Sequence, residues 1–309
     1  MKTGKTHIGT IVVTLTIGIV FGILLQKYCG IGNIRKAIDE RWQTISLSMT
    51  VHATESKIPN RYHGKLQLFI LAGQSNMSGR GDLQELMANP DPRIYVFGND
   101  YHWNLAQEPV DDARDQVDKV SEDLDAGFSP AVAFATTLLE HDPDLVIGLI
   151  PCAQGNTSIT EWQRSLSDES LYGACLKHVR IAQTMGTVAG LLFFQGETDA
   201  IDPKEDPERT LLPNQWADAF EVFVTDWRND LNLPELPVVF AEIGTTTHAW
   251  RFINWSLVQE QQRKVDIPFC TMITTSDLPL RDPVHFTTQS YQIIGKRFAE
   301  AYMDLLQEQ

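Results

Sequence analysis

Six short apolar runs, most of them continuous rather than alternating with polar residues, constrain this chain most. They are LQLFILA (66–72), RIYVF (93–97), DLVIGLI (144–150), VAGLLFF (188–194), LPVVFAEI (236–243) and PFCTMIT (268–274). A strand with one wet face alternates apolar and polar residues, whereas a strand covered on both faces does not. Helical patterns lie between the runs. SPAVAFATTLLEH carries Ser129 as an N-cap and Pro130 at the first helical position. Asn214–Leu231 is amphipathic, INWSLVQEQQRKV follows, and TTQSYQIIGKRFAEAYMDLL closes the chain. Such alternation predicts an α/β fold of βαβ units with right-handed crossovers around one doubly wound parallel sheet.

In an open parallel sheet, ligands bind at the carboxyl ends of the strands. The segments just after the strands therefore matter most. They are GQSNM after the first strand, PCAQGNTSITEW after DLVIGLI, QGETD after VAGLLFF, and RDPVH before the last helix. Topology places all four on one rim. Two polar stretches, DDARDQVDKVSEDLD (111–125) and DAIDPKEDPERTLLP (199–213), read as surface loops.

The chain has 309 residues, 43% hydrophobic and 21% charged, enough for one substantial core. Its formal net charge of -15 repels phosphate backbones, so nucleic acid is not an expected partner. The cysteines are Cys29, Cys152, Cys175 and Cys270. No CxxC or Cys/His ligand spacing occurs, and neither a metal nor a cofactor is expected. Three cysteines in the body of the chain argue against a disulfide framework and read as buried free thiols.

At the N-terminus, Ile8–Leu25 contains no charged residue and no proline. As a helix it spans roughly 27 Å, close to the roughly 30 Å hydrocarbon core of a bilayer. QKYCG follows, without the small residues of a cleavage site. The run is read as an uncleaved anchor that makes a lipid bilayer a partner through residues 8–25. A signal peptide and a buried soluble helix are the alternatives. Residues 1–30 then form the anchor, 31–63 a stalk or linker, and 64–309 the folded domain. The flanking charges, Lys2 and Lys5 before the run and Lys27, Arg35, Lys36 and Arg41 after it, lean slightly against an outside domain.

Ester hydrolysis by a serine needs a base for the hydroxyl, an acceptor that orients the base, and fixed donors for the oxyanion. Ser75 lies at a strand-to-helix turn, where the following amides point outward. Alone, it reads as a turn or capping serine. Met77 stands where a G-x-S-x-G elbow would need its second glycine. His285 lies three residues after Asp282, with Pro283 restricting the loop. Gln195 is a strand-end amide able to donate to an oxyanion. Glu197 and Asp199 are able to bind sugar hydroxyls or simply to hold the loop. The amide of Gly155 meets no Cβ of its own. Each has an ordinary structural explanation when taken singly.

Taken together and in this order, GQSNM, PCAxGxTS, QGE[ST]D and DxxH resemble the four blocks of the sialate O-acetylesterase-like branch of the SGNH (GDSL-type) hydrolases. That branch also includes acetylxylan esterases. The resemblance runs from about Leu66 to Met303 and takes in SPAVAFATTLLE and FVTDWRNDLNLPELPVV. It implies a three-layer α/β/α flavodoxin-like domain with a central parallel sheet, here preceded by one N-terminal transmembrane helix. It also implies Ser75 as nucleophile, His285 as base and Asp282 as its orienting partner. The oxyanion hole would use the amide of Ser75, Gly155, and Gln195 in place of the Asn of other members. The family usually has two glycines where this chain has Gly155-Asn156. The Asn156 amide remains able to donate, while its side chain is expected to narrow the acyl pocket.

The expected function is a serine esterase that removes O-acetyl groups from a carbohydrate through an acetyl-enzyme on Ser75. Arg80, Asn156, Trp162, Trp103 and Glu197 are candidate substrate contacts, with packing or ion pairing as the competing explanation. A polysaccharide substrate favours a domain outside the cytoplasm. The alternatives are an inactive carbohydrate-binding or surface-assembly protein on the same fold, and a lipase or thioesterase.

Overall fold

The computed structural model describes residues 58–84 and 89–307. Its sheet contains β1 (Leu66–Gly73), β2 (Ile94–Phe97), β3 (Trp103–Leu105), β4 (Ile147–Pro151), β5 (Gly186–Phe194), β6 (Val238–Ala241) and β7 (Cys270–Ile273). The strands lie in the order β3-β2-β4-β1-β5-β6-β7, and every pairing is parallel except β2 with β3. Each of the six apolar runs supplies a strand. The edge strand β3 is additional, and its three residues are too few to carry a pattern.

The helices are α1 (Ser75–Ser78), α2 (Ala131–His141), α3 (Leu171–Ala182), α4 (Trp216–Leu231), α5 (Trp255–Gln262) and α6 (Thr288–Gln307). Side chains of β1 point alternately to the two faces of the sheet. Leu66, Leu68, Ile70 and Ala72 join a core with residues of α3, α4 and α5. Phe69 and Leu71 join a second core with residues of α2 and α6. The expected three layers are therefore present. The strand order departs from the flavodoxin order of 2-1-3-4-5, because β4 is inserted between β2 and β1. This leaves β1 flanked by β4 and β5, with the loops that follow all three strands side by side.

Helix α2 starts one residue later than Ser129-Pro130 suggested, and the Ser129 hydroxyl accepts the Ala131 N–H at 3.1 Å. Helix α3 is not evident in the sequence, where Gly173, Lys177 and His178 break up its apolar face. Ser170 caps it by accepting the Gly173 N–H at 3.0 Å. The same helix corrects the reading of the cysteines. Cys175 on α3 is joined to Cys152, just after β4, with Cα atoms 5.4 Å apart. One pair requires only that α3 cross the end of β4, and an odd total does not forbid it. Cys270 remains free, and burial pushes its thiol up to about 12.

The two polar stretches are not simply surface loops. Asp111 and Asp123 in the first are buried, as are Asp199, Ala200 and Ile201 in the second. At the N-terminal side, packed structure begins before residue 64. Ile58 is buried in the core, and Tyr62 sets its ring edge against Tyr95 at 6.4 Å. The proposed anchor and residues 31–57 of the linker lie outside the described residues. Among the described residues, no helix is long and apolar enough to cross a membrane.

Candidate active site

The carboxyl end of β1 is held on both sides. Gly73 has a φ of +132°, and a Cβ there would stand 2.2 Å from the Phe194 carbonyl oxygen. Only glycine allows this approach. The next amide, of Gln74, donates to that same oxygen at 2.8 Å, while the Gly73 carbonyl accepts from the Gln154 N–H at 2.9 Å. The ends of β1, β4 and β5 are thus fixed together. The chain then turns into α1, whose Met77 and Ser78 N–H groups bond back to the Gln74 carbonyl. The Ser75 and Asn76 amides head this turn and have no intrahelical acceptor.

Ser75 Oγ lies 2.9 Å from His285 Nε2. His285 Nδ1 lies 2.8 Å from Asp282 Oδ2 and 2.9 Å from Oδ1. Asp282 Oδ1 also accepts the backbone N–H groups of His285 at 2.9 Å and Val284 at 3.1 Å. Burial works to raise the Asp282 carboxyl, but those backbone donors and the imidazole outweigh it and hold it below its ordinary value. Burial pulls His285 below the ordinary histidine value. Asp282 opposes the shift, and the nearby Arg80 and Arg281 cations assist it. The geometry is that of a neutral base, with its ring held by a carboxylate and its second nitrogen on a serine hydroxyl.

Asn76 ties the serine turn to the histidine turn. Its side-chain amide donates to the Val284 carbonyl at 3.1 Å and to Glu197. Its side-chain oxygen accepts from the Tyr291 hydroxyl at 2.7 Å. Glu197, a candidate sugar contact, is 2% exposed and belongs to this internal network, and burial pushes its carboxyl up to about 7. Trp162, another candidate, is wholly buried, and its indole N–H donates to the Thr157 hydroxyl at 3.1 Å. Trp103 is buried beside Phe97. For these three residues the structural explanation holds.

Two oxyanion donors expected from the sequence are engaged elsewhere. Gln195 Nε2 is surrounded by Asp199 Oδ2 at 2.6 Å, the Thr157 carbonyl at 2.9 Å and Gln74 Oε1 at 3.2 Å. Its Oε1 accepts from the Trp216 indole N–H at 2.9 Å. The Gln195 side chain is a buried brace rather than a donor facing the serine. The Gly155 N–H donates to Asp123 Oδ2 at 2.9 Å. Asn156 has a φ of +61° and is exposed, and its side-chain oxygen is 3.3 Å from Arg209 Nη1. That contact turns the side chain toward Arg209.

Asp123 is the residue that sequence reasoning missed most clearly. Its carboxylate accepts from Arg80 Nη2 at 2.9 Å through both oxygens, from the Ser78 hydroxyl at 2.7 Å, and from the Gly155 N–H. It joins the serine turn to the loop after β4. The acidic stretch around it contains several carboxylates, and no sequence signal singles this one out. Arg80, also a candidate substrate contact, lines a cleft of about 610 Å³ with Arg281, Asp282 and His285. Two of its guanidinium nitrogens are engaged with Asp123, Ser78 and the Gly79 carbonyl. Among the described residues, no group of His, Cys, Asp or Glu is arranged to hold a metal ion.

Comparison with known proteins gives the family of the chain. Residues 65–304 match the family model "Carbohydrate esterase, sialic acid-specific acetylesterase". A probable carbohydrate esterase of Arabidopsis thaliana is 30% identical over 256 residues, covering 77% of this chain and 90% of that protein. Its X-ray structure superposes with a TM-score of 0.66 over 78% of this chain and 98% of the other, at 27% identity. A carbohydrate acetylesterase from Xanthomonas citri (TM-score 0.59, 18% identity, 79% of this chain and 57% of the other) shares the fold. So does NanS (TM-score 0.57, 17% identity, 80% and 99%).

Replacing Asp123 by Asn puts an amide NH2 among three donors that need acceptors. The Asp123→Asn protein is expected to lose about 3 kcal/mol of stability in urea unfolding. Its Gly155 amide should also exchange with solvent faster than in the parent. Unchanged exchange at Gly155 would show that the carboxylate does not hold this loop.

Proposed function

Because the chain belongs to the carbohydrate esterase family of sialic acid-specific acetylesterases, we propose that it is a serine esterase that removes O-acetyl groups from a carbohydrate. The observation that carries this reading is the unbroken line Ser75–His285–Asp282, at 2.9 and 2.8 Å. His285 Nε2 takes the Ser75 proton as Oγ attacks the acetyl carbonyl. The tetrahedral intermediate collapses when His285 returns that proton to the departing sugar oxygen, leaving acetyl-Ser75. Water, deprotonated by His285, then releases acetate and restores the serine.

The oxyanion needs donors already in place. The Ser75 amide heads its turn with no helical acceptor. In the loop after β4 the Gly155 amide is taken by Asp123, so the next amide, of Asn156, is assigned the second position. Arg80, beside His285 in the cleft, is proposed as a substrate contact through the donor capacity that Asp123, Ser78 and Gly79 leave.

The catalytic domain is attached to a bilayer through Ile8–Leu25 and lies outside the cytoplasm. The charge-free run supports the first point. The Cys152–Cys175 disulfide supports the second, since disulfides persist in oxidising compartments, and a polysaccharide substrate would add to it. The flanking lysines and arginines lean the other way. Recovery of the intact chain wholly in the soluble fraction of its own cell would remove the anchor from this proposal.

Ser75→Ala is expected to lower kcat/KM on 4-nitrophenyl acetate by more than about 1,000-fold. The parent should release acetate from at least one of acetylated xylan, O-acetylated sialic acid and acetylated bacterial polysaccharide. Full activity in Ser75→Ala would refute the mechanism. The base works only when neutral, and its pKa is lowered in the folded protein. The acid limb of kcat/KM should therefore have its midpoint below about 6.5, the ordinary histidine value. A midpoint above it would contradict the assignment of His285.

A further inference from the structure

The loop after β6 leaves the sheet at the rim that carries His285. Its Thr247 N–H donates to the Pro283 carbonyl at 3.1 Å, one residue from Asp282. The chain then closes a tight turn, in which the N–H groups of Arg251 and Phe252 both donate to the His248 carbonyl, at 2.9 and 3.1 Å. Farther on, Phe252 is buried edge-on against Trp255 at 5.4 Å. The turn is also fixed to the loop after β5. The Arg251 carbonyl accepts from the Asp202 N–H at 2.8 Å, and the Asn254 N–H donates to the Ala200 carbonyl at 3.0 Å.

At the tip of this anchored turn stands Trp250, 68% exposed. The other tryptophans among the described residues are all buried. A single exposed apolar side chain needs no explanation by itself. Here the backbone is fastened on both sides of the indole, so its exposure does not come from a loose chain end. The His248 ring stands 5.7 Å from it, and three residues from Thr247 reach at most about 10 Å, which keeps Trp250 on the rim beside the candidate active site. Neighbouring hydroxyls hold that histidine: Thr247 Oγ1 lies 3.1 Å from His248 Nδ1, and the Thr246 hydroxyl accepts the His248 N–H at 3.1 Å. An exposed flat indole beside an imidazole held by a threonine hydroxyl suits a ligand with an apolar C–H face edged by hydroxyls. It does not suit an acyl chain, which needs an apolar channel.

We infer that Trp250, with His248 beside it, is a subsite that stacks a further sugar ring of an oligosaccharide whose acetylated unit sits at Ser75. This rests on the esterase reading for its place in the reaction, but not for its binding chemistry. The substrate class it selects is a glycan of several units rather than a free acetylated monosaccharide.

The test uses the full chain carrying Ser75→Ala, titrated calorimetrically with xylohexaose, cellohexaose and mannohexaose, none of which needs an acetyl group. At least one hexaose should bind, and Trp250→Ala should weaken it about 5- to 10-fold, with Trp250→Phe in between. In the active chain, the ratio of kcat/KM on an acetylated hexaose to that on 4-nitrophenyl acetate should fall by the same factor in Trp250→Ala. No binding by any hexaose, equal binding by Trp250→Ala, or an unchanged ratio overturns the subsite. Failure of the esterase reading would appear separately, as hexaose binding that depends on Trp250 without acetate release by the parent chain.

Discussion

The approach of Gly73 to the Phe194 carbonyl fixes where the serine turn can be. β1 is hydrogen-bonded on both edges for most of its length, so its own end is not free to move. At Gly73 the backbone adopts a conformation that a side chain would block, and the Gln74 amide locks onto Phe194. Because β4 sits beside β1 rather than beyond β2, its trailing loop meets the same point through the Gln154 amide. Three strand ends are joined by two backbone hydrogen bonds before any side chain is placed. The inserted strand is thus what brings the PCAQGNTS loop to the serine.

The side chains that complete the site are mostly buried and polar, which is costly unless each finds a partner. Glu197 and Asp199 illustrate how the cost is met. Burial raises both carboxyls, Glu197 to about 7 and Asp199 to about 6, and each keeps one oxygen with no hydrogen-bond partner. Their other oxygens serve Asn76, and the Ile159 amide with Gln195. The QGETD segment is therefore an internal brace linking three rim loops. Its conspicuous acids look like ligands for a substrate in sequence, yet they face inward. Arg80, Arg281 and His285, which do line the cleft, come from just after the first block and from the last.

The fold was legible because burial on both faces leaves an unmistakable mark on parallel strands, and each apolar run became a strand. Helix α3 was not, since its polar and small residues hide a face that only the sheet beneath it defines. The disulfide was lost with it, because Cys175 has no position until α3 does. Within the site, Ser75, Asp282 and His285 were legible as motif residues at strand and loop ends. Asp123 was not, because a carboxylate among many acquires its role only when Arg80, Ser78 and Gly155 converge on it. Gln195 failed for the converse reason. A strand-end amide is a plausible oxyanion donor until its own surroundings, rich in acceptors, are known.

The alignment of the proposed triad rests on few degrees of freedom. Asp282 and His285 are three residues apart in one proline-restricted turn, and Asp282 binds the His285 backbone as well as its ring. Their mutual geometry is local and forms with the turn. What remains is the distance between that turn and the serine turn. Asn76, adjacent to the nucleophile, spans it by bonding Val284, adjacent to the base. Tyr291 in α6 and Glu197 after β5 hold Asn76 in turn, so the separation is set by elements of both cores. A hydroxyl–imidazole contact of 2.9 Å tolerates little drift. Anchoring each partner through its immediate neighbour, and both neighbours to each other, turns the rigidity of the sheet into the precision that proton transfer requires.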